Sequence, residues 1–349
     1  MDYKELHLIG SSSPHIRTKD GTAHIMAEVL IALIPALAFS IYNFGWYVLT
    51  VTAVSVVGSC FFEWLYRTLM KKNNTVGDCS AAVTGVLIAF VCPPNIPLWM
   101  ILIGDFFAIV IVKQLFGGIG KNFLNPALAA RAFMLSWASA MSTWVVPGSK
   151  LPLLGTVDVV TSATPMSYLH ENNLQGLMEV YDLQDMLIGF IGGSLGEVSA
   201  LLLAIGGAWL IFRKIITWYI PVSYIGTVAV LTFLFPRGND PMTWMLYNVL
   251  GGGLILGAFF MATDYVTSPV SHKGQVIFGI GCGLITVFIR YFGSYSEGVC
   301  YAILVMNLTV WIIDKHTKPA RFGVVKAPKE PKEPKESKEP KEKKEAAAK

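Results

Sequence analysis

The sequence predicts an all-α polytopic membrane protein of about ten transmembrane helices, on three observations. Apolar residues make up 54% of the 349 residues and charged residues only 14%, with a mean hydropathy of +0.55. That is membrane composition and not the composition of a soluble domain of this length. Apolar blocks of bilayer length recur along the chain, and cations gather at alternate exits from them.

The blocks fall at 22–44, 46–66, 78–93, 96–116, 124–146, 185–212, 216–236, 246–262, 275–294 and 297–314. A helix needs roughly 20 residues to cross the hydrocarbon, so the third and eighth blocks are short and the count of ten rests on them. The chain divides accordingly: an N-terminal segment 1–21, a first set of five spans 22–146, a polar loop 147–184, a second set of five 185–314, and a tail 315–349. Residues 1–21 are polar and lack the design of a cleaved signal, so the first span is read as retained.

Orientation follows from the cations. Lys4, Arg17 and Lys19 precede the first span; Arg67, Lys71 and Lys72 follow the second; Lys113 and Lys121 the fourth; Arg213 and Lys214 the sixth; Lys273 the eighth. Twelve more follow the tenth, whereas the opposite side has only Lys150 and Arg237. Both termini are therefore expected in the cytoplasm and the 147–184 loop outside it. The net charge of +4 comes mostly from the tail, so no basic face for nucleic acid is implied.

The two sets of spans show traces of a repeat. Trp46-Tyr47 opens the second span and Trp218-Tyr219 the seventh, an offset of 218 − 46 = 172; Gly85 in the third span and Gly253 in the eighth are offset by 253 − 85 = 168. Five spans per half, an odd number, would insert the second half inverted, with sites near the interface of the halves. Glycines flank the third and eighth spans, at Gly77, Gly85 and Gly251-Gly252-Gly253, and Pro93-Pro94 ends the third. They permit either close helix packing or broken helices that line a cavity.

Charges inside spans are costly and mark functional hypotheses. Here they are Glu28, Glu63, Asp105, Arg131, Glu197 and Asp264. Glu63 and Asp264 fall near cytoplasmic ends, within reach of headgroups. Glu28, Asp105 and Glu197 are candidates for an ion route or for pairing with Arg131.

Two stretches carry chemistry. Asp158-Val159-Val160-Thr161-Ser162-Ala163-Thr164-Pro165, in the polar loop, clusters hydroxyls beside a small residue. Thr164-Pro165 also reads as an N-cap and first position of a helix. The readings are compatible, because a phosphate ester on an N-cap would meet free N–H groups and the helix dipole. The second stretch is Gly120 to Arg131, where Asn122 and Asn125, three apart, would share a face at a helix start and could donate to and accept from a heterocycle edge. A plain cap at Asn125-Pro126 is the alternative.

Asp158-x-x-Thr161-Ser162-Ala163-Thr164 resembles the flavinylation motif Asp-x-x-Ser/Thr-Gly-Ala-Thr, with Ser162 in place of glycine. Over about 15–322 the chain resembles the family that comprises the D subunit of the Rnf complex, an ion-translocating ferredoxin:NAD oxidoreductase, and the B subunit of the sodium-pumping quinone reductase. The resemblance implies FMN esterified to Thr164 by an FAD-dependent flavin transferase. It implies a second, non-covalent flavin, riboflavin, near Asn122 and Asn125. It further implies partner subunits that handle ferredoxin and NAD, and a bacterial cell membrane as location. The 21-residue lead before the first span favours the Rnf subunit over the quinone reductase subunit, which carries a longer N-terminal region. A rival from another class is a channel or solute transporter without a redox group.

Cys60, Cys79, Cys92, Cys282 and Cys300 show no metal-binding spacing and read as buried small hydrophobes. Gly192-Gly193-Ser194-Leu195-Gly196 lies in an apolar block without the strand that a dinucleotide fingerprint needs, so NAD is not expected on this chain. From Ala327 the Pro-Lys-Glu repeats have nothing apolar to bury and are expected to be disordered.

Overall fold

A computed structural model describes residues 21–153, 161–197 and 199–317. The N-terminal segment to residue 20, Asp158 and the tail from 318 lie outside the described residues, as does the expectation of disorder there.

Described residues are helical apart from turns and two isolated bridges. Helix α1 (Thr22–Phe44) is 23 residues long, about 34 Å at 1.5 Å per residue, enough for the ~30 Å hydrocarbon core. It stops at Gly45, whose φ of 93° suits glycine. A Cβ there would lie 2.5 Å from the Leu151 backbone nitrogen, so glycine also lets the 145–151 segment cross the corner. Helix α2 (Tyr47–Leu69) returns at once.

Then come α3 (Ser80–Phe90), α4 (Leu98–Phe106) continued by a π-helical stretch Phe107–Gln114, α5 (Pro126–Met134) and the short α6 (Ala138–Met141). The polar loop holds α7 (Pro165–His170), α8 (Leu174–Val180) and α9 (Leu183–Ile188). The second half has α10 (Ala200–Phe212), α11 (Tyr219–Leu234), α12 (Pro241–Leu250), α13 (Leu254–Leu256) continued by π-helical Gly257–Met261, α14 (His272–Phe292) and α15 (Val299–Thr317). Asp240 caps α12, and the Thr243 hydroxyl that donates to it holds its carboxyl below the usual range.

Among the described residues four helices are long and apolar enough to cross a membrane: α1, α2, α14 and α15. A fifth arises if α12 and α13 with its π-helical extension count as one span bent by 59°. The other predicted blocks are shorter helices or are interrupted, for identifiable reasons. The third ends at Phe90 because Pro93, Pro94 and Pro97 follow. The sixth is helical only in α9 and α10, unwinding through the glycines between them. The fifth contributes nine residues in α5 and four in α6. Two of the unwound stretches satisfy one another: Leu195 N donates to Cys92 O at 2.9 Å and Gly196 N to Phe90 O at 2.8 Å. Irregular backbone inside an apolar layer is tolerated where protein partners replace water. Hydropathy thus identified buried segments and overstated their helical continuity.

One large core joins both halves, with Phe44, Val51, Phe90, Met100, Tyr224, Leu254 and Phe278 fully enclosed. A separate small core of Met166, Leu169, Leu177, Tyr181, Met186, Trp244 and Tyr247 holds α7, α8 and α9 onto the start of α12.

Candidate functional site

Thr164 caps α7: its Oγ1 accepts from Ser167 N at 3.3 Å and lies 2.9 Å from Ser167 Oγ, with Pro165 at the first helical position. The cap predicted from sequence is present. Although it lies in a polar loop, Thr164 is buried, only 5% exposed. The preceding residues are held inward, Ser162 N donating to Trp144 O at 2.9 Å, Thr161 bridged to Val145 and Tyr181 Oη donating to Ala163 O at 3.2 Å. The Ser162 hydroxyl is buried without a partner among the described residues.

A cavity of about 10 Å³ opens beside Thr164, walled by Ile191, Gly192, Gly193, Glu197, Gly252 and Glu297. That space suits about one water. It is too small for a flavin ring. Gly193 leaves open space where a Cβ would stand.

Beneath the cavity lies a charged layer. Arg131, from α5, pairs with Glu197 Oε1 at 3.1 Å and with Glu297 Oε2. Arg290, from α14, donates to the carbonyls of Asn248 (2.5 Å), Gly251 (3.2 Å) and Glu297 (3.0 Å). It thereby satisfies carbonyls left open where α12 breaks. The layer brings Arg131 and Glu197 together as the sequence allowed. Its other members, Glu297 and Arg290, were missed. Each could have been found, because both are charges in or beside apolar blocks.

Asn122 and Asn125 do not share a helical face. Asn122 lies in the loop, its Nδ2 donating to Leu124 O at 3.1 Å, and Asn125 is the N-cap of α5. Asn125 Oδ1 accepts from Ala127 N at 3.0 Å and Nδ2 donates to Met261 O at 3.1 Å, which leaves its carboxamide engaged with backbone. Both residues nevertheless line one cavity of about 320 Å³ at the end of the bundle where α1 begins. Its walls are largely apolar, with Met26, Leu87, Phe259 and Phe260, and carry Ser80, Thr84, Lys113, Thr263 and Asp264 as polar points. The volume and the few converging polar groups are those of a small-molecule site.

The remaining buried charges sort differently from expectation. Glu63 does not reach headgroups: it is 1% exposed and pairs with Lys113 at 2.8 Å, and Lys113 also donates to Ser80 Oγ at 2.6 Å. Lys113, counted in the sequence among exit cations, sits in the π-helical stretch at 3% exposure. Asp264 lines the large cavity and accepts from Thr267 Oγ1 at 3.1 Å. Glu28 pairs with Arg213 at 2.7 Å and accepts from Trp209 Nε1 at 3.0 Å, tying α1 to α10 and not to Arg131. Asp105 has no pairing with Arg131 either; Ser55 and Ser59 are its neighbours. Among the described residues no group of His, Cys, Asp and Glu suits a metal ion.

Comparison with known proteins bears on what these sites serve. Residues 9–323 match the model of the NQR2, RnfD, RnfE family. The chain is 49% identical over 327 residues to the D subunit of the Na(+)-translocating ferredoxin:NAD(+) oxidoreductase complex of Acetobacterium woodii, covering 93% of this chain and 98% of that one. It is 44% identical over 320 residues to the D subunit of the proton-translocating ferredoxin:NAD(+) oxidoreductase complex of Clostridium ljungdahlii, covering 90% and 95%. It is 37% identical over 326 residues to the D subunit of an ion-translocating oxidoreductase complex of Stutzerimonas stutzeri, covering 86% and 91%.

Proposed function

The chain belongs to the NQR2, RnfD, RnfE family, and from that premise we propose that it is the D-type membrane subunit of a redox-driven ion-translocating complex. In this reading it carries FMN as a phosphoester on Thr164 and a second, non-covalent flavin in the cavity lined by Asn122 and Asn125. The complex passes electrons from ferredoxin to NAD on partner subunits and couples that flow to movement of Na+ or H+. Ten spans in two inverted sets of five carry the sites, with both termini in the cytoplasm and Thr164 on the far side.

The observation that carries the reading is the setting of Thr164. Its hydroxyl stands at a helix N-terminus beside a glycine-walled, oxygen-sized cavity, within a sequence that fits the flavinylation motif in all but Ser162. A phosphate there gains from the N-terminal N–H groups and dipole of the helix. A flavin supplies reversible one- and two-electron transfer, and the protein supplies position and electrostatics. Glu197 and Glu297, which wall the cavity beside Thr164, are held by Arg131, so the carboxylates nearest the hydroxyl are charge-paired.

The large cavity at the other end supports a second carrier, since a flavin outside a ~30 Å core cannot reach a cytoplasmic donor unaided. The five-plus-five reading gains support from a shared local geometry that pairs Gly253 with Cys79 and not with Gly85: Cys79 before α3 and Gly253 before α13 are both left-handed, at φ 60° and 65°, and 253 − 79 = 174 is close to the offset of the Trp-Tyr pairs.

The test is denaturing electrophoresis of the protein made in cells that contain the flavin transferase. A band fluorescent under ultraviolet light, absent in Thr164→Val, is the expected result. A dark wild-type band under those conditions supports the rival channel or transporter. A reporter fused after residue 164 is expected outside the cytoplasm.

A further inference from the structure

Among the described residues, Asp105 is the buried carboxylate whose surroundings leave a hydrogen missing. It sits in α4 at 0% exposure, facing α2, where Gly58 lets the helices close: a Cβ on Gly58 would lie 2.9 Å from Asp105 Oδ2. Three short oxygen–oxygen contacts run in a line. Ser59 Oγ lies 3.1 Å from Asp105 Oδ1, Asp105 Oδ1 lies 2.7 Å from Ser55 Oγ, and Ser55 Oγ lies 2.8 Å from the Gly85 carbonyl of α3.

Each hydroxyl has one hydrogen, and a carboxylate or carbonyl has none. With Asp105 ionised, two hydrogens serve three contacts and one contact is bare oxygen against oxygen. With Asp105 protonated on Oδ1, every contact is filled in one direction: Ser59 donates to Asp105, Asp105 to Ser55, and Ser55 to Gly85 O. Asp105 Oδ2, then the carbonyl oxygen of the acid, is left buried without a partner, as it stands among the described residues.

No described neighbour supplies the charge instead. From α2 the titratable groups nearest along the helix are Cys60 and Glu63; beyond α3 comes Cys92; the π-helical stretch brings Lys113 and α5 brings Arg131. Lys113 is paired with Glu63, and Arg131 with Glu197 and Glu297. An ionised carboxylate left unpaired in such a place is costly enough that the protonated form is favoured at rest. The four oxygens form a chain of pairwise contacts, and among the described residues no further carboxylate joins Asp105 in a group that could hold a metal ion.

We propose that Asp105, with Ser55, Ser59 and the Gly85 carbonyl, is a binding site for one exchangeable proton inside the membrane bundle. Uptake protonates Oδ1 and turns the Ser55 hydroxyl toward Gly85 O; release turns it back toward Asp105 and removes that donor from α3. Proton occupancy at the contact of α2 and α4 is thereby transmitted to α3, which lines the large cavity through Ser80, Val83 and Thr84. The site does not depend on the flavin reading: a dark Thr164 band leaves it untouched.

Infrared spectroscopy of the full chain in lipid at neutral pH tests it. The expected result is a protonated-carboxyl C=O band that moves down in frequency on exchange into D2O and is lost in Asp105→Asn. Ser55→Ala keeps the acid and removes its acceptor, so it should move the band without abolishing it, which guards against a misfolded Asp105→Asn. The proposal is overturned by a missing band, by a band that survives Asp105→Asn, or by a band that D2O does not move. It is equally overturned by sodium-dependent thermal stabilisation lost in Asp105→Asn with no carboxyl band, which would assign a metal cation to the cluster.

Discussion

The two candidate sites of this chain differ in what they provide. Beside Thr164 there is dense charge and a cavity of about 10 Å³; around Asn122 and Asn125 there is a cavity of about 320 Å³ with largely apolar walls. The difference matches the two ways a protein can hold a cofactor. A ligand fixed by a covalent bond needs one reactive atom and no preformed space, while a ligand held by contacts needs a pocket that already exists. On the proposed function the motif marks a site of the first kind, and the fold adds a preformed pocket to the Asn122 and Asn125 stretch that the sequence had already singled out.

The sharpest way to break this comparison is to remove each element separately. Thr164→Val should abolish flavin that survives denaturation and leave flavin that denaturation releases. Ala127→Phe, on the wall of the large cavity and 1% exposed, should do the reverse. A loss of about 1.4 kcal/mol of binding is tenfold in affinity, and a ring placed in the cavity should cost at least that. Flavin analysis of the supernatant and pellet after acid precipitation reads both quantities. Parallel loss of both flavins in either variant would mean that the two sites are not independent.

Next in size is the pair at the large cavity. Glu63→Gln leaves Lys113 buried and unpaired, which costs about 3–5 kcal/mol, whereas Glu63→Gln with Lys113→Met removes both charges and should recover much of the loss. Thermal unfolding of the three proteins in one detergent measures it. A double variant as unstable as the single one would show that the pair holds the π-helical stretch Phe107–Gln114 through shape and not charge.

A smaller contrast lies in two glycines near Thr164. A Cβ on Gly253, at a left-handed φ of 65°, would run into the Glu197 carboxylate, while a Cβ on Gly193 meets nothing within 4 Å. Gly253→Ala should therefore lower stability by about 1–3 kcal/mol, whereas Gly193→Ala, at a position without positive φ, should leave it unchanged or raise it by up to about 1 kcal/mol. Equal melting temperatures for the two would remove Gly253 from the description of the break.

The particular residues show what was legible in the sequence. Thr164-Pro165 was readable as a cap because capping depends on adjacent residues. The Arg131–Glu197 pair was readable as one of several options, since rare charges in apolar blocks have few partners to choose from. Glu63–Lys113 spans 50 residues and depends on how α2 meets the π-helical stretch, which no local pattern encodes. The end of the third span was readable from Pro93-Pro94, but the unwinding at 189–197 was not: Leu195 and Gly196 are satisfied by Cys92 and Phe90 across the fold, so its apolar letters imitate a helix.

The smallest expected effect concerns the position where the chain departs from the motif. Glycine is indispensable in a turn only where φ is positive, and Ser162 is not among the described non-glycine residues with positive φ, which are Lys71, Cys79, Asn172 and Lys214. Its hydroxyl is buried without a partner among the described residues, a cost of about 1–3 kcal/mol. Ser162→Gly removes that cost and adds roughly 0.5–1 kcal/mol of backbone entropy to be lost on folding. The difference leaves a change of about 0–2.5 kcal/mol in the stabilising direction. Covalent flavin should be unchanged, because Thr164 and its cap are untouched. A marked rise in flavin occupancy in Ser162→Gly would show instead that the transferase acts on the loop in a conformation that serine resists, so that the flavin acceptor must be exposed before it folds into the place it holds here.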